Sequence, residues 1–89
     1  VGIGMGATDY QQYMENPFPL DKIKAPIFDV YGAEEYPAVL NGAADRKKLI
    51  MLAGNKKSKQ QSIPHANHYF TDQGDALLEA VSNWLNVIK

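Results

Sequence analysis

Eighty-nine residues, 45% hydrophobic and 21% charged, form an ordinary globular composition and at most one small domain, which buries roughly 60% of its unfolded surface. Nine Lys and Arg against ten Asp and Glu give a formal net charge of −1, without the basic excess of a chain built to bind phosphate backbones, so nucleic acid is excluded as the main partner. With no cysteine there is no disulfide framework or thiolate metal site, and no apolar run approaches the roughly 20 residues that span a bilayer. The expectation is a soluble chain, cytoplasmic or periplasmic, with the compartment undetermined.

Val1-Gly-Ile-Gly-Met-Gly-Ala7 reads as a short buried strand running into a turn. Gly2, Gly4 and Ala7 fit the dinucleotide fingerprint G-x-G-x-x-G/A, and Asp29 lies at a tolerable distance for a ribose-binding acid. That fingerprint needs a long helix next. Thr8 to Glu15, with Tyr10, Tyr13 and Met14 on one face, is a short helix instead, stopped by Asn16-Pro-Phe-Pro19. The same glycines align with a nucleophile elbow, G-x-S-x-G, with Gly4 in the serine's place and hence no nucleophile. The plainest reading is a strand end whose glycines serve packing and turning. Val1 enters an apolar run without a methionine or polar lead-in, so further strands are expected upstream.

Leu20 to Ala25 leads to the first clear strand. Pro26 suits a first strand position, and Ile27, Phe28, Val30 and Tyr31 give the near-continuous apolar run of a parallel strand covered on both faces. Gly32 ends it. In open α/β sheets the working surface lies beyond the carboxyl ends of the strands, which places Glu34 and Glu35 there, either as an acid with a solvated neighbour or as helix-start charges. Tyr36 to Ala53 follows as a helix with Pro37 in its first turn, loosened at Asn41-Gly42, and with Arg46, Lys47 and Lys48 as its wet face.

Gly54 closes that helix, and the lysines after it complement the negative end of its dipole. Lys59-Gln-Gln-Ser-Ile63 is a polar strand suited to a sheet edge. Its end carries Pro64-His-Ala-Asn-His-Tyr-Phe70. An imidazole at His68 would suit general-base work, since histidine titrates near neutrality when unperturbed. His65 and His68 would form a zinc pair only with further ligands, for which Glu34 and Glu35 are the candidates. Asp72 to Lys89 is an amphipathic helix: Leu77, Leu78, Val81, Trp84, Leu85 and Ile88 form its stripe, Thr71 or Asp72 caps it, and Trp84 is a core anchor.

Proline-led strand, glycine, acid, helix, polar strand, histidine and terminal helix together resemble the C-terminal portion of the α/β-hydrolase fold, and in particular a poorly characterised bacterial family of α/β-hydrolase-like proteins. The likeness rests on Pro26-Ile-Phe-Asp-Val-Tyr-Gly-Ala-Glu-Glu35 and on Ile63-Pro-His-Ala-Asn-His68. It implies a single partial domain over residues 1–89, a three-layer α/β fragment with about three parallel strands and flanking helices. Glu35 would be the triad acid, with Glu34 as the fallback, and His68 the general base. The nucleophile would lie upstream of Val1, since neither Ser58, Ser62 nor Ser82 follows an elbow, and the chain alone would be inactive. No cofactor or metal is called for. The expected partners are the upstream part of the same fold or another copy of the chain, giving a homo-oligomer, and a small-molecule ester, thioester or amide.

Overall fold

The structure is a computed structural model that describes residues 1–6 and 19–88. The proposed Thr8–Glu15 helix, with Tyr10, Tyr13 and Met14, lies outside the described residues. Three strands form one parallel sheet in the order β1 (Gly2–Ile3), β2 (Phe28–Gly32), β3 (Lys59–Ile63). Between β2 and β3 run α1 (Pro37–Asn41) and α2 (Ala43–Ala53), and after β3 comes α3 (Gly74–Ile88). This is the α/β arrangement of parallel strands with flanking helices that the sequence pattern predicts. A single 3-10 turn, Leu20–Lys22, precedes β2.

Alternation along β2 divides the interior in two. Phe28 and Val30 point to one face, where they join Ile63, Ala66, Phe70, Ala80 and Trp84 in the main core. The Phe28 and Trp84 rings stack with centroids 5.3 Å apart and 20° between planes. The Trp84 indole N–H donates to the Lys57 carbonyl at 2.8 Å, which satisfies its polar edge and ties α3 to the turn before β3. On the other face, Ile27, Leu20 and Ile50 form a smaller cluster beneath α2.

That second face contains the main departure from expectation. Asp29, in the middle of the apolar strand, is wholly buried, and Arg46 is buried with it. Arg46 is therefore not part of a wet helix face. Its Nε donates to Asp29 Oδ2 at 2.9 Å and its Nη1 to the Val39 carbonyl at 2.9 Å. Gln60 adds a bond to the same Asp29 oxygen at 2.8 Å and another to the Ala43 carbonyl at 2.7 Å. Lys47 and Lys48 remain exposed. An acid consumed by an interior ion pair is not at a sheet edge where a ribose would meet it, so Asp29 does not serve the dinucleotide reading.

The expected Tyr36–Ala53 helix is two helices, broken at Gly42, which ends α1 and starts α2. Pro37 opens α1, as its fixed φ favours. Gly54 ends α2 in the left-handed conformation, its N–H on the Met51 carbonyl. The last helix starts at Gly74 rather than Asp72, because Phe70 and Asp72 both adopt positive φ, at 55° and 58°, in the turn before it. Of its expected stripe, Trp84 is buried and Leu77, Val81 and Ile88 pack on the core beside Ala76 and Ala80, whereas Leu78 is 66% and Leu85 43% exposed. Among the described residues no helix is long and apolar enough to cross a membrane.

Candidate functional site

The carboxyl ends of β2 and β3 are bound together by backbone hydrogen bonds before any side chain is considered. Ala33 N–H donates to the Ile63 carbonyl at 2.9 Å, and Glu34 N–H to the Ala66 carbonyl at 2.8 Å. The approach is so close that a Cβ at position 32 would lie 2.1 Å from the Ala66 carbonyl oxygen, which only glycine avoids. Gly32 thus does more than end a strand. It lets the loop carrying Glu35 run against the loop carrying His68.

The two side chains meet there. His68 Nδ1 lies 2.7 Å from Glu35 Oε2, with the Glu35 side chain fully buried and that of His68 30% exposed. With Glu35 as carboxylate, Nδ1–H donates, and Nε2 keeps its lone pair for other work. The carboxylate fixes the ring's tautomer and direction and would stabilise the imidazolium formed when Nε2 accepts a proton. Glu35 Oε1 is buried and has no hydrogen-bond partner among the described residues.

Glu34 and His65 stand apart from this pair. Both are well exposed, at 65% and 85% of their side chains, with His65 Nδ1 3.9 Å from Glu34 Oε2. The geometry brings His68 to Glu35, not to Glu34. His65 and His68 thus face different carboxylates instead of converging on one point. Among the described residues no three His, Cys, Asp or Glu side chains gather as metal donors.

Beside the pair the structure adds two features that the motifs alone do not reveal. The first is Gly4, at the end of β1, whose N–H donates to the Val30 carbonyl at 2.9 Å and whose φ is 62°. A Cβ there would sit 3.0 Å from Glu35 Oε1 and from both Nδ1 and Cε1 of His68. Gly4 is the floor beneath the pair. The Cβ would meet the ring at Nδ1 and at Cε1, the carbon between its two nitrogens.

The second feature is a set of tyrosines. Tyr36 stacks on His68 with centroids 4.7 Å apart and 29° between planes, and Tyr69 stands edge-on to both rings. The Tyr36 hydroxyl donates to that of Tyr69 at 2.9 Å. This bond, followed by desolvation and by the charges of Tyr69 and Glu35, raises the Tyr36 pKa above its ordinary value of 10.0. The sequence signal for this arrangement was adjacency: each tyrosine directly follows a member of the pair, Glu35-Tyr36 and His68-Tyr69.

The chain's serines lie elsewhere. Ser58, just before β3 at the opposite end of the sheet, accepts a hydrogen bond from Ile27 N–H at 2.9 Å; Ser62 lies within β3, and Ser82 is in the middle of α3. Compared with protein-family models, with curated proteins and with solved structures, the chain matches none of them.

Proposed function

We propose that Glu35 and His68 are the acid and base of a serine-hydrolase-type site on an α/β-hydrolase fold, acting on an ester, thioester or amide of a small molecule. The supporting observation is the 2.7 Å contact between His68 Nδ1 and a fully buried Glu35 carboxylate at the carboxyl ends of neighbouring parallel strands. In this scheme His68 Nε2 takes the proton of a serine hydroxyl as its oxygen bonds to the carbonyl carbon. Nε2 then returns that proton to the departing alcohol, thiol or amine. Glu35 orients the ring throughout and holds its positive charge.

In this reading the serine belongs to an upstream part of the same fold, since another copy would bring only Ser58, Ser62 and Ser82 again. Ile3 supports an additional covering element: it is paired with Val30 on the same sheet face, yet is 50% exposed where Val30 is wholly buried. Sedimentation of the chain at high concentration should show a dimer or larger assembly, and a strict monomer would count against self-association.

The deciding experiment assays the natural gene product containing these residues with an activated acyl ester. Hydrolysis lost on His68→Ala and strongly reduced on Glu35→Leu is expected. Hydrolysis indifferent to His68→Ala would remove the pair from the mechanism. An inert product would favour the competing reading, a noncatalytic binding or assembly domain. That second reading draws on Gly4, a glycine at the centre of a G-x-S-x-G-like run.

A further inference from the structure

Tyr69 is 74% exposed, but its ring has a defined place. The Tyr36 hydroxyl is bonded to its own, and its centroid lies 5.4 Å from the His68 ring and 6.4 Å from Tyr36, at 84° to both. The turn beneath it is equally fixed. Asn67 Oδ1 accepts from Tyr69 N–H at 2.9 Å and from Thr71 N–H at 3.2 Å, and the buried Phe70 anchors the turn to the core.

Three rings therefore make a corner, with Tyr36 and His68 stacked and Tyr69 upright against them. A large aromatic ring fixed in orientation yet left in water contributes little to the core. Its open face is instead ready for another planar group, because aromatic pairs gain from offset or edge-on contact beyond simple area burial. The polar chemistry narrows the ligand further. With the Tyr69 oxygen accepting the hydrogen bond from Tyr36, its own O–H remains to donate to an oxygen acceptor. The charge in contact with the corner is a carboxylate, Glu35 on His68, which disfavours an anionic ligand.

We propose that the Tyr36–His68–Tyr69 corner is a subsite for a neutral aryl group bearing a carbonyl-type oxygen, so that the substrate class is an aromatic ester, thioester or amide. The substrate assignment rests on the hydrolase reading above. The binding step does not, since it needs no nucleophile.

Acetophenone and cyclohexyl methyl ketone test it, because both present a carbonyl and neither contains a scissile ester or amide. Each is titrated into the protein while the ring resonances of His68 and Tyr69 are followed by NMR. Acetophenone should shift both rings along a saturable curve and bind at least about threefold more tightly than its saturated counterpart. Tyr69→Ala should weaken acetophenone by about fivefold, whereas Tyr69→Phe should retain the preference for the aryl ring while losing about twofold. At 74% exposure, neither substitution disturbs the core. Equal affinity for the two ketones, no shift at these rings, or indifference to Tyr69→Ala would each overturn the subsite. If acetophenone binds as expected and the activated-ester assay is negative, the subsite stands and the catalytic reading falls.

Discussion

Gly4 and His68 are in such close register that a single carbon added to the glycine would come within 3.0 Å of the imidazole Nδ1 and Cε1. The end of one strand is thus shaped around a side chain that arrives more than sixty residues later. Gly4→Ala should cost about 1–3 kcal/mol in urea unfolding, since a φ of 62° and a crowded Cβ act in the same direction. It should also displace the His68 ring resonances. Gly4→Ser should carry a similar stability cost, since its Cβ meets the same atoms.

The pair itself should respond unequally to its two substitutions. His68→Ala leaves the buried Glu35 carboxylate without the group opposite Oε2, and is expected to cost about 1–3 kcal/mol at neutral pH. Glu35→Gln should cost less, because an amide oxygen can still accept from Nδ1–H. Urea midpoints at unchanged slope would measure both. The reverse order would mean that the carboxylate is held mainly by something other than His68.

Arg46 offers the larger stability effect. Arg46→Met strands the Asp29 carboxylate in the interior and should destabilise by about 3–5 kcal/mol. Pairing it with Asp29→Leu removes the stranded charge, and most of the loss should return. A double variant no better than the single one would show that the hydrogen bonds of Arg46 and Gln60 to Val39 and Ala43, not the charge pair, hold this face.

Tyr36 provides a test by pH. Its folded pKa is raised above 10.0, first by the hydrogen bond with Tyr69. The neutral phenol is therefore the form that folding favours. Its contribution is complete below pH 10.0 and disappears as the pH climbs through the higher folded value. In Tyr69→Phe, the Tyr36 ionisation should move down toward the ordinary value, read from its ring NMR signals. No movement would assign the shift to burial or to Glu35.

What could be read from the sequence was mostly what is written locally. The apolar run at Ile27–Tyr31, the polar strand before Ile63, and the Trp84-bearing helix each declare themselves by period and by bordering residues. Strand ends in a parallel sheet share one edge, which gathered Glu34, Glu35, His65 and His68 there; the choice of Glu35 and His68 among them came from the resemblance to the α/β-hydrolase fold. The Asp29–Arg46 pair could not. Arg46 precedes two lysines and looks like one more solvated charge; only the lone acid within an apolar strand hinted that some cation must come inside. The delayed start of α3 was hidden for a different reason. Phe70 and Asp72 accept positive φ because the core and the turn demand it, and capping preferences carry no trace of that demand.

Asp29 also acts as a gauge of alignment. Side chains alternate across a strand, so a slip of β2 by one residue would turn this carboxylate into the space occupied by Phe28, Val30 and Trp84, and send a bulky apolar ring toward the guanidinium of Arg46. Few errors in a small sheet would be rejected so firmly. Each residue of slip would also carry Glu35 about 3.3 Å along the sheet relative to His68, enough to break a contact of 2.7 Å. A charge buried on the far face of the strand thereby enforces the spacing of two groups that it never touches.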